Sequence, residues 1–146
     1  MDMTFTFPGG ARVEGQAGPY TIATDQPPGG TAPTPFTLFL ASIGACAAYY
    51  VQVFCRQRGI PVDDIRVMQH NEPGPTGRIE RIDLSVELPA GFPERYRAAA
   101  VRAAEQCTVK KHLEHPPAIT IAPAPSPAGA LTTGADVGRA EVAMTG

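Results

Sequence analysis

Three cysteines carry the most distinctive chemistry in this 146-residue chain: Cys46, Cys55 and Cys107. Cys46 lies in a long uncharged stretch, and a thiol buried in an apolar helix is more often an inert packing residue than a nucleophile. The thiolate is the reactive form, and burial raises the pKa of a thiol. Cys46 therefore needs a nearby cation or hydrogen-bond donor if it is to act as a nucleophile.

The spacing of the cysteines decides which pairs can form. Cys55 follows Cys46 by nine residues on one predicted helix, about half a turn out of phase, so these two cannot bond within one chain. We interpret Cys55 as structural. Cys107 lies on a second predicted helix, and two helices packed side by side over one sheet can bring Cys46 and Cys107 within disulfide range.

Few positively charged residues are available to activate these thiols. Lys110 and Lys111 are the only lysines of the chain, and helical spacing places them on the face of Cys107 and at the helix end. Either they stabilise a helix C-terminus, or they bring positive charge to a thiol or bind an anionic group. Because no Lys or Arg occurs between Arg12 and Arg56, the charge that activates Cys46 would come from Arg12, the two lysines or a second subunit.

The stretch around Cys46 predicts one long helix. Thr34 is a good N-cap, Pro35 suits the first helical position, and Gly59 ends the run TPFTLFLASIGACAAYYVQVFCRQR. From Phe36 to Phe54 there is no charge, and apolar side chains point in every direction, so protein or lipid should surround the helix. About nineteen residues is the lower limit for spanning a bilayer, but the run holds several polar groups, so we predict a buried central helix and no membrane span.

The rest of the chain is predicted to form six strands and one further helix. Strands are predicted at Thr4–Phe7, Arg12–Gln16, Tyr20–Thr24, Val62–Gln69 and Arg78–Leu88, a second helix at Pro93–Glu114 and a final strand at Ala118–Ala122. The first three form an antiparallel meander, and the fifth alternates apolar and polar residues, which indicates a sheet with one buried face. We assign residues 1–122 to one domain and residues 123–146 to a tail rich in Pro, Ala and Gly.

Composition excludes several classes of protein. The formal net charge is -2 and Lys and Arg do not cluster, which argues against nucleic-acid binding. The N-terminus lacks the features of a signal peptide, which predicts a cytoplasmic protein. Cys107, His112 and His115 lack the fourth ligand and the paired cysteines of a metal site, and there is no glycine-rich phosphate loop, so no metal or cofactor is predicted.

Taken in order, these segments resemble the OsmC/Ohr family of osmotically inducible and organic-hydroperoxide-resistance proteins. The resemblance runs from about Thr34 to Ile121 and rests on TPFTLFLASIGACAAY, RGIPVDDIRV, RIERIDLSVELP and FPERYRAAAVRAAEQCTVKKHL. It implies an α+β fold with two central helices packed on curved antiparallel sheets. It also implies an intertwined homodimer whose active sites lie at the subunit interface.

The resemblance further implies roles for two cysteines. Cys46 aligns with the peroxidatic thiol, which attacks a peroxide O–O bond and becomes a sulfenic acid, and Cys107 with the resolving thiol, which forms a disulfide with it. The chain departs from the family pattern in two places. Phe36 and Thr37 occupy the positions where the peroxidases usually carry a Glu that orients an Arg, for which Arg12 is the candidate here. Thr108-Val109-Lys110 replaces Pro-Val-His after the second cysteine.

We therefore predict a thiol-dependent peroxidase that reduces organic hydroperoxides and is reset by an external thiol or dithiol. The site would be lined by a partner chain and by four aromatic residues, Phe36, Phe39, Tyr49 and Tyr50. One alternative is a non-enzymatic protein that binds a small apolar ligand on the same scaffold. Another is a thiol redox sensor that forms its disulfide slowly.

Overall fold

The computed structural model describes residues 1–124 and shows an α+β architecture. The elements in chain order are β1 (Met3–Gly9), β2 (Arg12–Ala17), β3 (Tyr20–Thr24), α1 (Pro35–Arg56), β4 (Arg66–Pro73), β5 (Ile79–Glu87), α2 (Glu94–Ala104) and α3 (Thr108–Glu114). Residues 125–146, most of the predicted tail, lie outside the described part. Strands β1–β2–β3 form one antiparallel sheet and β4–β5 another.

The N-terminal meander matches the prediction closely. Gly9 and Gly10 connect β1 to β2, and Gly18 lies in the turn to β3, all three with positive φ. A side chain is strained in that backbone region, which explains why glycine is needed at these turns. Every residue of β1 is exposed, so this strand contributes an open edge rather than part of the core.

Helix α1 begins as its sequence predicts. The Thr34 hydroxyl accepts a hydrogen bond from the Thr37 backbone N–H at 3.1 Å, Pro35 opens the helix, and Gly59 follows its end with φ of +63°. Its last residue, Arg56, lies two positions before the predicted end. By length and apolar composition alone α1 could also span a bilayer, a test that core helices of soluble proteins pass as well.

The prediction that α1 is buried on all sides is wrong for the single chain. Its buried residues form one stripe at four-residue spacing: Ile43, Ala47, Val51 and Cys55. The other faces retain exposed aromatic groups, because among residues 1–124 the six-turn helix is covered mainly by α2, β4 and α3.

The β4–β5 hairpin lies under this stripe. β4 begins four residues later than predicted, because Val62 to Ile65 form a turn in which the Ile65 N–H donates to the Val62 carbonyl at 3.0 Å. In β5 the apolar side chains face inward and the alternating polar ones face solvent, as predicted. The core is a cluster of Val51, Cys55, Phe92 and Ala100, with apolar side chains of both strands packed against it.

The second predicted helix is broken in two, which corrects the expectation of one helix over Pro93–Glu114. The N–H groups of Glu105, Gln106 and Cys107 bond three residues back, so α2 ends in a tight turn. Cys107 then adopts a non-helical conformation, and its sulfur caps α3 by accepting the Lys110 N–H at 3.3 Å. No glycine or proline marks this break in the sequence.

The final strand predicted at Ala118–Ala122 is absent: residues 116–124 carry no assigned secondary structure. Within the described chain this segment pairs with no strand, and the side chains of Ile119 and Ile121 are 83% and 98% exposed. A strand forms only when an edge with free backbone groups lies beside it, and alternating apolar residues alone do not supply that edge.

Candidate active site

The two thiols that the sequence singled out are in contact. Cys46 lies half-buried near the middle of α1, and Cys107 is almost fully buried at the break between α2 and α3. The Cys107 thiol can donate its one proton to the Ile43 carbonyl, at 3.7 Å, or to the sulfur of Cys46. The two residues are brought together as expected, but Cys107 does so from the break between α2 and α3 and not from within one helix.

Hydrogen bonds stabilise the thiolate of Cys46. Partial burial raises the pKa of Cys46, but the Val109 N–H, the Cys107 thiol and the Thr108 N–H all donate to its sulfur and outweigh that effect. The net result is a pKa below the ordinary value for a thiol. Two of these donors are backbone N–H groups in the first turn of α3, which are free because a helix start leaves them without intrahelical partners.

Cys107 is shifted in the opposite direction. Burial raises the pKa of Cys107, and its contact with Cys46 raises it further, against the lowering effect of the Lys110 N–H. The pair thus divides into one thiol that ionises readily and one that keeps its proton, because two adjacent sulfurs do not both take a negative charge easily. All three cysteines are free thiols in this structure.

The cations that the sequence offered as activators of Cys46 pair with other groups in the structure. Arg12 forms an ion pair with Glu14 at 2.5 Å. The Lys110 amine pairs with Glu114 at 3.3 Å, and the Lys111 amine donates to Gln106 at 2.8 Å. The groups that lower the pKa of Cys46 are N–H and S–H donors instead of these cations.

The predicted aromatic lining lies on α1. Phe36 and Phe39 stack with ring centroids 5.7 Å apart, and Tyr49 meets Tyr50 edge to face at 5.6 Å. All but Tyr50 are exposed in the single chain. Thr37, one of the two positions where the family resemblance led us to look for a Glu, joins the N-terminal cap through a hydroxyl contact of 2.9 Å with Thr34.

Tyr50 also makes a contact that the sequence did not indicate. Its hydroxyl lies 2.8 Å from that of Thr108, the first residue of α3. The two residues are 58 positions apart, so only the folded chain brings them together.

The structure adds an apolar cavity that the sequence did not indicate. Its volume is about 310 Å³, and it lies between the β4–β5 sheet and the three helices. It is lined by Ile43, Ile82, Leu84, Val86, Val101, Ala104, Glu105, Lys110 and Leu113. Since Ile43 accepts from Cys107 and Lys110 donates to it, the cavity adjoins the resolving-thiol candidate.

Cys55 is placed where the sequence predicted a structural residue. It is fully buried in the core cluster, and burial raises its pKa although Arg58 opposes the shift. Its reactivity should therefore be low. Among residues 1–124 there is no group of three or more potential metal ligands.

The comparisons with known proteins agree with this architecture. The sequence profile of the family described as OsmC-like protein matches residues 28–122, and the chain belongs to that family. No curated protein matches the chain significantly.

Solved structures share the fold at low sequence identity. A structural genomics target is 22% identical with a TM-score of 0.68, covering 80% of this chain and 91% of its own. A hypothetical protein from Aquifex aeolicus VF5 is 17% identical with a TM-score of 0.63, covering 79% and 87%. An OsmC like protein from Mycoplasma pneumoniae is 17% identical with a TM-score of 0.58, covering 77% and 86%. These similarities concern the fold alone.

Proposed function

We propose that this protein is a thiol-dependent peroxidase that reduces organic hydroperoxides. The Cys46 thiolate attacks one peroxide oxygen, the O–O bond breaks, and the alcohol leaves with a proton, so that Cys46 becomes a sulfenic acid. The Cys107 thiol then forms a disulfide with Cys46 and water leaves. An external thiol or dithiol returns both residues to thiols by exchange and is itself oxidised.

The observation that carries this proposal is the contact between two thiols, one with a pKa below and the other with a pKa above the ordinary value. Hydrogen bonds from Val109, Cys107 and Thr108 lower the pKa of Cys46, whereas burial raises that of Cys107. A nucleophile must be ionised near neutral pH, and a resolving thiol must remain available until the sulfenic acid has formed. Membership of the OsmC-like family supports a role in peroxide chemistry.

A homodimer would complete the site. Phe36, Phe39 and Tyr49 are exposed on the same helix as Cys46, and Phe39 lies two turns before it on nearly the same face. An unpartnered apolar face next to a half-buried thiol is the surface that a second subunit would cover, leaving a pocket suited to hydroperoxides with an apolar body. We place the dimer in the cytoplasm, with residues 1–122 as its folded domain.

A titration of the reduced protein with a stoichiometric amount of cumene hydroperoxide tests this function. Free thiols should fall from three to one per chain, and a peptide containing the Cys46–Cys107 disulfide should appear in the mass spectrum. Cys46→Ser should stop peroxide consumption, whereas Cys55→Ala should leave it unchanged. Cys107→Ser should still form a sulfenic acid at Cys46, which dimedone would trap.

Two results would contradict the proposal. One is retention of all three thiols after exposure to excess hydroperoxide, with no sulfenic acid trapped. The other is peroxide consumption by Cys46→Ser at the rate of the unmodified protein.

A second candidate function is binding of a small apolar ligand without catalysis. The apolar cavity of about 310 Å³ beside Cys107 favours it, as does the replacement of the family's Glu by Phe36 or Thr37. Native mass spectrometry of the purified protein would show a retained ligand. Together with full retention of thiols in the titration, that result would select this function over the peroxidase.

A further inference from the structure

Two contacts between α1 and the start of α3 lie on either side of Cys46. The Ile43 carbonyl, three residues before Cys46, accepts from the Cys107 thiol at 3.7 Å. The Tyr50 hydroxyl, four residues after it, lies 2.8 Å from the Thr108 hydroxyl. Residues at these spacings share one helix face, so the start of α3 contacts α1 on both the N-terminal and the C-terminal side of Cys46.

The Tyr50 contact joins two short, otherwise lightly attached elements. α3 has seven residues, none of them buried, and a helix of this length has little stability of its own. Cys107 lies at its start and is a second tie to α1, because its thiol can donate to the Ile43 carbonyl or to Cys46. Without the Tyr50 contact, the bonds described between this turn and α1 would all involve the sulfurs of Cys46 or Cys107, which are weak hydrogen-bond partners.

The charged groups around this turn are occupied elsewhere. Lys110 pairs with Glu114, Lys111 donates to Gln106, and the His112 imidazole lies 2.8 Å from the Thr108 carbonyl. Helix α1 carries no charged residue from Phe36 to Phe54. In the part of the chain that the structure describes, the ionisable group in contact with Cys46 is therefore the Cys107 thiol.

We propose that Tyr50 is a positioning residue. Its hydroxyl, 2.8 Å from that of Thr108, holds the first turn of α3 against the face of α1 that carries Cys46. The role concerns the ionisation of Cys46 and gives Tyr50 a function beyond lining an apolar pocket. As a step in turnover it rests on the proposed peroxidase, but the thiol chemistry can be measured without any peroxide.

The test follows alkylation of Cys46 by iodoacetamide as a function of pH, read on the Cys46 peptide by mass spectrometry. Tyr50→Phe removes one hydroxyl, and Thr108→Val removes its partner. In each variant the pH at which the alkylation rate is half its maximum should move upward. Below the midpoints of both curves, the variant should therefore react about 2- to 5-fold more slowly than the unmodified protein, as expected for the loss of one hydrogen bond. Thr108→Ser, which keeps the hydroxyl, should titrate like the unmodified protein.

Tyr20→Phe is the matched control, because it makes the same chemical change at an exposed tyrosine of β3, outside the candidate site. Its profile should remain unchanged. The double variant Tyr50→Phe/Thr108→Val should shift no further than either single variant, since both remove the same bond. That non-additivity distinguishes positioning from general destabilisation.

An unshifted profile in Tyr50→Phe, or equal shifts in Tyr50→Phe and Tyr20→Phe, would overturn the proposal. So would additive shifts in the double variant. If Tyr50→Phe does not fold, identical profiles for Thr108→Val and Thr108→Ser would overturn it instead. If the variants shift the alkylation profile as expected but the unmodified protein consumes no peroxide, the positioning role stands and the proposed peroxidase function is wrong.

Discussion

Backbone N–H groups stabilise negative charge at two separate residues of this chain. At Cys46 they come from the first turn of α3. At Asp25 they come from Thr31, at 3.0 Å, and Gln26, at 2.8 Å, and the Thr31 hydroxyl adds a third bond at 2.7 Å. These bonds hold the loop that leads from β3 to α1, and they lower the pKa of Asp25, led by the Thr31 N–H.

Replacement of Asp25 by Ala should therefore destabilise the protein in a pH-dependent manner. A carboxyl whose pKa is lower in the folded than in the unfolded state stabilises the fold above its unfolded pKa, near the ordinary value of 3.8. That contribution is lost as the pH falls through the folded pKa. The melting temperatures of Asp25→Ala and the unmodified protein should differ clearly at pH 7 and converge in strong acid.

Asp2, exposed at the N-terminus, offers a control for this prediction, and Asp2→Ala should melt close to the unmodified protein at both pH values. A difference for Asp25→Ala that stays constant from pH 7 into strong acid would contradict the assigned role of the carboxylate.

The sequence singled out the two neighbouring thiols, but it did not indicate the groups that lower the pKa of Cys46. Cys46 and Cys107 follow from their positions on two apolar segments and from the family resemblance. The donors to Cys46 could not be predicted, because Thr108 and Val109 have free N–H groups only if the helix breaks at Cys107. No residue type signals that break, and composition therefore directed attention to Arg12 and the lysines instead.

At the scale of elements, α1 organises the core through a single stripe of small and medium side chains. Val51 and Cys55 are both almost fully buried and belong to the cluster that contains Phe92 and Ala100. Close packing of this kind makes the loss of even a few methyl groups costly, since the surrounding elements cannot fully fill the space.

Val51→Ala should lower the free energy of unfolding by about 2 kcal/mol, because it removes buried apolar volume and leaves a cavity. Urea unfolding followed by circular dichroism would measure it. Val101→Ala, on an exposed position of α2, makes the same chemical change and should alter stability by roughly 0.5 kcal/mol or less. Equal losses in the two variants would contradict the assignment of the core.

Elements with local sequence signals were predicted well. Thr34, Pro35 and Gly59 bound α1, and Gly9-Gly10 and Gly18-Pro19 mark the turns of the meander. The elements that failed depend on distant partners. The segment with Ile119 and Ile121 has the alternation of a strand but pairs with no strand among residues 1–124, and Val62 to Ile65 form a turn around Asp63 and Asp64.

For the whole molecule, apolar surface is the dominant feature. The exposed large apolar residues include Phe5 and Phe7 on β1, Phe36, Phe39 and Tyr49 on α1, and Ile119 and Ile121 near the end of the described chain. Surfaces of this kind on several elements of one small domain are typical of interfaces between subunits.

We expect the protein to behave in solution as a dimer of twice the 15.3 kDa chain mass. Phe39→Glu combined with Tyr49→Glu places two charges on the exposed face of α1 and should shift the mass measured by light scattering toward that of one chain. Arg102→Glu, an exposed change on α2, should leave the dimer intact. A monomeric mass for the unmodified protein at micromolar concentration would contradict the interface.

The restriction of lysine to positions 110 and 111 makes this molecule unusually simple to label. Both amines lie on α3, within four residues of the buried thiol, and each is partly accessible because its contacts are with exposed groups. Apart from the amino terminus, an amine-reactive fluorophore would attach only to this short helix. Its emission would then report on this helix during exposure to a hydroperoxide, without any cysteine being used for attachment.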